Sequence, residues 1–245
     1  YTNGGITIGK ANATVTGNSA SVTYTGLAQS VSGYTATGLV NNETIAVLTG
    51  VSASGATGIN AASYTNTMSG TDSNYNLTLV NGTLTIGKAN ATVTGNSANV
   101  TYNANSQSVS GYTATGLVNG ETIAVLTGVT ASGATGTNYG SYTNTVSGTD
   151  SNYNLTLVNG TLAIAKAALA VVGANSNATY TGQAQSVSGF TATGLVNGET
   201  AAVLTGVSAS GATGTNVGTY TNTVSDTATN YNLTLVNGAL TIAKA

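Results

Sequence analysis

Apolar and small polar residues alternate along much of the chain, and the clearest example is the segment 154–164. The alternation has a period of two on both sides of Asn159-Gly160, which is typical of strands with one buried face. An Asn-Gly pair between two such runs predicts a hairpin with a two-residue loop, because both residues adopt positive φ at low cost. The predicted core face of this hairpin consists of Leu155, Leu157, Leu162 and Ile164.

Four further segments carry the β-branched and aromatic residues that strands favour: 91–94, 99–102, 108–114 and 141–146. Glycine and asparagine separate these runs at intervals typical of a small all-β domain. Segment 119–126 permits two interpretations. It is either a short helix capped by Asn119, with Ile123 and Leu126 three positions apart, or a loop followed by a short strand.

The same pattern returns along the chain with a fixed period of 78 residues. The residues that keep this period are Lys10, Lys88, Lys166 and Lys244; Glu43, Glu121 and Glu199; Tyr24, Tyr102 and Tyr180; and Tyr75, Tyr153 and Tyr231. We predict three repeats, 10–87, 88–165 and 166–243. Residues 1–9 align with 79–87 and are interpreted as the last strand of a preceding repeat, and 244–245 as the start of the next. The sequence thus indicates a segment of a longer array.

Consecutive repeats are connected without a flexible linker. Segments 86–89 and 164–167 lead almost directly from the last predicted strand of one repeat into the first strand of the next. Neither segment has the glycine- and serine-rich composition of a flexible linker. We therefore predict an all-β protein of three tandem small β domains, each sandwich-like or β-grasp-like, in a stiff head-to-tail rod.

The low charge of the chain excludes several classes of function. Charged residues make up 4% of the sequence and the net charge is −2. A nucleic-acid binder needs a basic surface to neutralise phosphates, which four widely spaced lysines do not form. Attraction to an anionic membrane surface is excluded for the same reason. The chain also has no apolar run of about 18 residues, so no membrane span is expected in it.

Catalytic chemistry has few candidate groups here. The chain has no histidine, cysteine or arginine, which removes Ser-His and Cys-His sites, the common zinc sites and arginine clamps on phosphate. Asp72 and Asp150 keep the 78-residue period, but the third repeat has Ala228 at that position and Asp226 two residues earlier. A paired carboxylate site would not tolerate this shift. We expect no enzymatic activity and no cofactor, and we assign no catalytic, cofactor-binding or metal-ligating residue.

Two residue types permit alternative roles. The repeated lysine is either a solvated charge that hinders edge-to-edge strand pairing or one partner of a Lys–Asn amide crosslink. A crosslink would stabilise a domain that has no disulfide. The repeated tyrosines either pack at the edge of the core or form exposed rows that bind sugars or proteins. Phe190 replaces Tyr112 at the equivalent position, which favours packing there.

Several motifs resemble those of a known repeat family. Segments 110–122, 216–220 and 230–242 are similar to MBG/YDG-type repeats, which occur in tandem in large bacterial surface adhesins, including filamentous-haemagglutinin-like proteins. Segment 22–30 is similar to the Tyr-Asp-Gly element of that family, although Thr25, Asn103 and Thr181 stand at the Asp position. The resemblance covers all three repeats. It implies an extracellular, β-rich stalk and no catalytic residue.

Three functional hypotheses follow. The first is a stalk or spacer of an extracellular bacterial adhesin that projects a distal binding domain from the cell surface. The second is a self-associating subunit of an extracellular fibre or biofilm filament, in which residues 1–9 add a strand to a neighbouring chain. The third is a repeat that itself binds glycan or ice. The expected partners are neighbouring repeats of the same chain and, in the second hypothesis, other copies of the chain.

Overall fold

The computed structural model describes residues 4–245, which contain three repetitions of ten short strands and one 3₁₀ turn. Residues 1–3 of the predicted strand remnant 1–9 lie outside the described residues, and residues 4–9 are exposed and form no strand.

The first repeat contains β1 (Ala11–Gly17), β2 (Ala20–Thr23), β3 (Gln29–Val31), β4 (Tyr34–Thr37), η1 (Ile45–Val47), β5 (Val51–Ala53), β6 (Ala56–Gly58), β7 (Ala62–Asn66), β8 (Met68–Gly70), β9 (Tyr75–Val80) and β10 (Gly82–Gly87). The second repeat contains β11 (Ala89–Gly95), β12 (Ala98–Thr101), β13 (Gln107–Val109), β14 (Tyr112–Thr115), η2 (Ile123–Val125), β15 (Val129–Ala131), β16 (Ala134–Gly136), β17 (Gly140–Asn144), β18 (Val146–Gly148), β19 (Tyr153–Val158) and β20 (Gly160–Ala165). The third repeat contains β21 (Ala167–Gly173), β22 (Ser176–Thr179), β23 (Gln185–Val187), β24 (Phe190–Thr193), η3 (Ala201–Val203), β25 (Ser208–Ala209), β26 (Ala212–Gly214), β27 (Gly218–Asn222), β28 (Val224–Ser225), β29 (Tyr231–Val236) and β30 (Gly238–Ala243).

Each repeat forms two three-stranded sheets and two short ribbons. In the first repeat the sheets have the strand orders β4-β1-β9 and β2-β10-β7, and the ribbons are β3-β6 and β5-β8. Both sheets are mixed: β1 is parallel to β9 and antiparallel to β4, whereas β10 is parallel to β2 and antiparallel to β7. The same orders recur in the other two repeats. The prediction of three tandem small β domains in an all-β chain is therefore confirmed.

The predicted hairpin at Asn159-Gly160 is wrong, although both of its strands exist. β19 belongs to the sheet β14-β11-β19 and β20 to the sheet β12-β20-β17, so the chain changes sheets at this point. Asn159 is not a turn residue with positive φ, and its Oδ1 instead accepts a hydrogen bond from the backbone N–H of Val146 at 3.0 Å. As a result, Leu162 and Ile164 are buried as predicted, whereas Leu157 is exposed.

The ambiguous segment 119–126 contains a single 3₁₀ turn, Ile123–Val125. Its cap is Thr122, whose hydroxyl accepts from the Ala124 N–H, and not Asn119 as the helical interpretation proposed. Asn119 and Gly120 form the preceding turn with φ values of 52° and 70°. The segment is therefore a left-handed turn followed by one helical turn.

The chain divides into two compact units, and each of them contains one joint between consecutive repeats. Unit 1 comprises the described residues up to Val93, Thr113–Thr130 and Ser147–Val158. Unit 2 comprises Thr94–Tyr112, Ala131–Val146 and Asn159–Ala245. The Lys88 joint therefore lies inside unit 1 and the Lys166 joint inside unit 2.

The core of unit 2 is continuous across its joint. Leu162 and Ile164 of the second repeat belong to the same buried cluster as Leu169, Val171 and Leu204 of the third repeat. Complete burial of one such aliphatic side chain contributes about 1.5–3 kcal/mol. The two repeats therefore share hydrophobic stabilisation in this unit.

Each repeat also buries one asparagine completely: Asn66, Asn144 and Asn222. The Asn144 Nδ2 group donates to the Asn96 and Gly111 carbonyl oxygens at 3.1 and 2.9 Å, and its Oδ1 accepts from the Gly133 N–H at 2.9 Å. A polar side chain is stable in such a core only when its donors and acceptors are paired. This asparagine therefore connects three loops of the fold.

Candidate functional site: the joint between repeats

One residue separates the last strand of each repeat from the first strand of the next. β10 ends at Gly87 and β11 begins at Ala89, with Lys88 between them. β20 ends at Ala165 and β21 begins at Ala167 in the same way. A single residue is too short to act as a flexible spacer. This agrees with the prediction that consecutive repeats are connected without a flexible linker.

The lysine of each joint is exposed and donates to a backbone oxygen of its own repeat. The Lys88 Nζ lies 2.6 Å from the Asp150 carbonyl oxygen, and the Lys166 Nζ lies 2.9 Å from that of Ala228. Lys166 also lies 5.1 Å from the ring centroid of Tyr139, a cation–π distance. A Lys–Asn crosslink needs the nitrogen against an asparagine side chain. These contacts favour a solvated charge.

The periodic aspartate shapes a turn. The Asp150 Oδ1 accepts from the backbone N–H groups of Asn152 and Tyr153 at 2.7 and 3.1 Å, immediately before β19. In the third repeat Ala228 stands at this position, yet its carbonyl oxygen still accepts from Lys166. The turn therefore forms with or without the carboxylate, which explains how the third repeat accommodates a displaced acid.

Two tyrosines from consecutive repeats donate to one carboxylate at the joint in unit 1. The Glu121 Oε1 accepts from the Tyr24 hydroxyl at 2.6 Å, and its Oε2 accepts from the Tyr153 hydroxyl in a short hydrogen bond. The Tyr153 hydroxyl in turn accepts from the Val118 N–H at 3.0 Å. We call Tyr24, Glu121 and Tyr153 the first tyrosine clamp. It bonds the first repeat to the second.

Local backbone structure positions each member of this clamp. Tyr24 follows β2, and its N–H donates to the Gly87 carbonyl oxygen at 2.8 Å, which fixes it beside the end of β10. Glu121 follows the left-handed turn at Asn119 and Gly120, two residue types that adopt positive φ with little strain. Tyr153 begins β19. The clamp is therefore held by two sheets and a tight turn.

The clamp tyrosines are buried and protonated. Their rings meet edge to face, with centroids 5.4 Å apart and an interplanar angle of 81°, a favourable aromatic arrangement. The pKa of Tyr24 is raised to about 12, mainly by its hydrogen bond to the Glu121 carboxylate and to a smaller extent by burial. The pKa of Tyr153 is also raised to about 12, mainly by burial and to a smaller extent by its hydrogen bond to the same carboxylate. Both hydroxyls therefore remain hydrogen-bond donors throughout the neutral pH range.

A second contact crosses the same joint through Asn152. Its Oδ1 accepts from the Ala61 N–H at 2.9 Å, and its Nδ2 donates to the Asn60 Oδ1 at 3.1 Å. The Asn152 carbonyl oxygen also accepts from the Ala89 N–H at 3.0 Å, so its backbone is fixed at the start of β11. Two separate points of contact restrict rotation of one repeat against the other more than one contact would.

The joint in unit 2 repeats this arrangement. The Glu199 Oε1 accepts from Tyr102 at 2.5 Å and its Oε2 from Tyr231 in a short hydrogen bond, and the two rings are again 5.4 Å apart at 81°. Asn230 takes the place of Asn152, because its Oδ1 accepts from the Tyr139 N–H at 2.9 Å. We call Tyr102, Glu199 and Tyr231 the second tyrosine clamp.

Sequence comparison matches residues 13–85, 91–163 and 170–241 to the MBG domain of the YGX type. The chain belongs to the MBG domain family. Each matched range spans the ten strands of one repeat, except for a few residues of the first and last strand. The Tyr-Thr-Gly element at 24–26, which is similar to the Tyr-Asp-Gly element of the family, supplies Tyr24 to the first tyrosine clamp. No curated protein matches this MBG chain.

Two solved structures have weak similarity to this MBG chain. The SGBP-B protein of the Bacteroides ovatus mixed-linkage glucan utilization locus, in complex with a mixed-linkage heptasaccharide, is 12% identical with a TM-score of 0.20, over 93% of this chain and 67% of that one. The I9–I11 tandem of titin is 11% identical with a TM-score of 0.21, over 97% and 98%. Similarity at this level supports no inference about fold or function.

The sequence analysis predicted no site residue, and it did not predict that the three residues of a clamp contact one another. The packing interpretation of the tyrosines agrees with the burial of Tyr24 and Tyr153, but their shared carboxylate was not predicted. The available signal was the common 78-residue period of Tyr24, Glu43 and Tyr75 and their equivalents. That period indicates that these residues have a role in every repeat, but it does not show that they meet across a joint.

Two further features of the described residues bear on the site. Residues 4–245 contain no group of three or more histidine, cysteine, aspartate or glutamate side chains arranged to hold a metal ion. Within the same range, no helix has the length and apolar character needed to cross a membrane.

Proposed function

We propose that this chain is a segment of the stalk of an extracellular bacterial surface adhesin. Its MBG repeats hold a distal binding domain away from the cell and perform no catalysis. The observation that supports this most strongly is the joint, in which each tyrosine clamp connects two consecutive repeats across a one-residue linker.

The contacts of the joint favour stiffness. A hydrogen bond to a charged group contributes about 1.5–3 kcal/mol, and one bond of each clamp crosses its joint, from Tyr24 to Glu121 and from Tyr102 to Glu199. The buried cluster that contains Leu162 of the second repeat and Leu169 of the third adds apolar contact between these two repeats. Bending at a joint would break several of these contacts together, because the same two repeats make all of them.

Membership of the MBG family and the composition support the location. MBG repeats are typical of secreted surface proteins, and a surface with few charges derives its solubility from threonine, serine and asparagine side chains. We therefore assign the chain to the bacterial cell surface.

Small-angle X-ray scattering tests the stiffness of this chain directly. We expect the distance distribution of an elongated, rigid particle. A double variant, Glu121→Ala and Glu199→Ala, should broaden the distribution because both joints lose their shared acceptor. The matched control is Glu43→Ala, which removes the equivalent side chain outside both joints and should leave the distribution unchanged. A compact globule for the unmodified chain would contradict the stalk.

Antibody labelling tests the location separately. Antibodies raised against the chain should label intact cells of the source bacterium, and protease treatment of those cells should remove the label. Labelling that requires permeabilised cells would contradict a surface role, whatever the shape of the particle.

A second candidate is the subunit of an extracellular fibre or biofilm filament. One observation favours it: charged residues make up 4% of the chain, so few charges hinder edge-to-edge pairing of its strands. Strand addition by residues 1–9 has less support, because β30 already lies between β22 and β27. Filaments whose number rises with protein concentration in electron micrographs would support this candidate. A monodisperse monomer at high concentration would count against it.

A further inference from the structure

An open groove lies on the outer face of the sheet β12-β20-β17 in the second repeat. Leu162 and Ile164 of the central strand β20 are buried, so the alternation of side chains places Ala163 and Ala165 on the opposite face. These two alanines form the floor of the groove. The groove has a volume of about 580 Å³, within the range of about 300–1,000 Å³ that ligand sites occupy.

Polar side chains and one tyrosine form the walls of this groove. On β12, Asn99 and Thr101 lie beside the two alanines of the floor, and on β17 Ser141 lies beside Ala163. Tyr139 immediately precedes β17 and lines the groove with 51% of its surface exposed. The outer strands of a three-stranded sheet are about 10 Å apart, so a single ring fits between the two walls.

Contacts with the third repeat hold the tyrosine wall in place. The Tyr139 N–H donates to the Asn230 Oδ1 at 2.9 Å, and the Asn230 Nδ2 donates to the neighbouring Asn138 Oδ1 at 3.0 Å. The Lys166 Nζ lies 5.1 Å from the centroid of the tyrosine ring and donates to the Ala228 carbonyl oxygen. A wall that is fixed before a ligand arrives lowers the entropy that binding costs.

Two residues of the groove depart from the 78-residue repeat, Tyr139 in the wall and Ala163 in the floor. The residues at the equivalent positions of the first and third repeats are Ala61 and Val217 for the tyrosine, and Thr85 and Thr241 for the alanine. The tyrosine adds an aromatic wall, and the alanine leaves the floor without a β-branched side chain. Both differences deepen the same groove, and within this chain both are confined to the second repeat.

The lining of the groove indicates the class of ligand that fits it. The lining residues are uncharged, so recognition depends on shape and on neutral hydrogen bonds. Tyrosine and alanine side chains fit an apolar ring face, whereas Asn99, Thr101 and Ser141 supply amide and hydroxyl groups that donate and accept. A purely apolar ligand would cover those polar groups without pairing them. A sugar ring combines C–H faces with hydroxyl edges and matches both parts of the lining.

We propose that this groove binds a neutral sugar residue of an oligosaccharide or polysaccharide. The C–H face of the sugar packs against Tyr139, and its hydroxyl groups bond to Asn99, Thr101 and Ser141. These polar wall residues are exposed, so a sugar bound here can remain part of a longer chain. The proposal differs from glycan binding by every repeat, because the tyrosine and the small floor residue occur together in one repeat. It adds a binding site to the stalk itself and does not depend on the stalk being stiff.

The natural differences between repeats supply the test variants. Tyr139→Ala and Ala163→Thr each introduce the residue that the first repeat carries at that position, so both variants should fold. The full-length chain is titrated with neutral oligosaccharides of glucose, galactose, mannose and N-acetylglucosamine in isothermal titration calorimetry. We expect one of these sugars to bind, and each variant to raise its Kd about 10-fold or more. The matched control, Val217→Ala, changes the equivalent position of the third repeat and should leave the Kd unchanged.

A gain of binding tests the same residues in the opposite direction. Ser21→Asn, Ala61→Tyr and Thr85→Ala together introduce the groove residues into the first repeat. The Ala61 N–H already makes the equivalent hydrogen bond there, to the Asn152 Oδ1. We expect this triple variant to bind two sugars per chain where the unmodified chain binds one.

Three outcomes would overturn the proposal. The first is that the unmodified chain binds none of these neutral oligosaccharides. The second is a Kd that both Tyr139→Ala and Ala163→Thr leave unchanged. The third is binding of acidic oligosaccharides only, which would place recognition on a charge outside the groove lining. None of these results alters the particle shape that scattering measures, so failure of the sugar site leaves the stalk proposal unaffected.

Discussion

Replacement of Glu121 by glutamine weakens one joint with the least change in shape. The carboxylate accepts hydrogen bonds from Tyr24 and Tyr153, whereas a neutral amide presents one oxygen and one N–H group to them. Bonds to a charged group contribute about 1.5–3 kcal/mol and neutral ones about 0.5–1.5 kcal/mol. Only the bond from Tyr24 crosses the joint, because Tyr153 and Glu121 belong to the same repeat. We therefore expect Glu121→Gln to destabilise the closed joint by about 1–1.5 kcal/mol.

Hydrogen exchange at the Ala61 N–H measures this effect locally. That group donates across the joint to the Asn152 side chain, so its exchange rate reports opening of the joint. Because this amide exchanges when the joint opens, a loss of about 1–1.5 kcal/mol corresponds to exchange about 5- to 12-fold faster.

The first repeat supplies the matched control. Glu43→Gln changes the equivalent side chain in the equivalent turn, but the Glu43 carboxylate accepts from Tyr75 of its own repeat and lies outside the two joints described above. The Ala61 exchange rate should be unchanged in that variant. The reasoning is refuted if Glu121→Gln leaves the Ala61 rate unchanged, or if the two substitutions accelerate it equally.

Three further predictions follow from the same contacts. The pKa values of Tyr24 and Tyr153 in the folded protein are about 12, above the ordinary value of 10.0. The stability that these two hydroxyls contribute should therefore be complete below pH 10 and be lost as the pH rises through about 12. Tyrosinate absorbance and thermal unfolding measured across this pH range test this. Asn144→Ala should destabilise the fold by about 3–5 kcal/mol in denaturant unfolding, because three buried backbone groups lose their partner, whereas the exposed Asn154→Ala should cost less than about 1 kcal/mol. Gly82→Ala should prevent soluble expression or lower the melting temperature strongly, because its Cβ would lie 2.2 Å from a backbone oxygen, and an unchanged melting temperature would contradict this.

Local sequence patterns predicted the strands but not the sheets to which they belong. The alternation around Asn159-Gly160 identified β19 and β20 correctly, yet it contains no information on which neighbours those strands pair with. Gly160 is required for a different reason than positive φ. It lies against Gly95, and a Cβ added to Gly95 would come within 2.6 Å of the Gly160 nitrogen, so two backbones meet there. A close approach between distant segments is not encoded in the spacing of adjacent residues.

The joint shows the same limit. The short connection at Lys88 was visible in the sequence, because no glycine- or serine-rich run separates the predicted strands. The clamp was not visible, because Tyr24 and Glu121 are 97 positions apart and belong to different repeats. A periodic pattern shows that residues are equivalent, whereas bonding between them depends on how one repeat is placed against the next.

Each repeat carries both halves of the joint, a tyrosine such as Tyr102 for the repeat that follows and a carboxylate such as Glu121 for the repeat that precedes it. Any repeat is therefore an acceptable neighbour for any other, and no end-specific partner is needed. Recombination within the gene that inserts or deletes whole 78-residue units would leave every remaining interface intact. The array can therefore differ in length by whole repeats, with no compensating substitution at the site of the change.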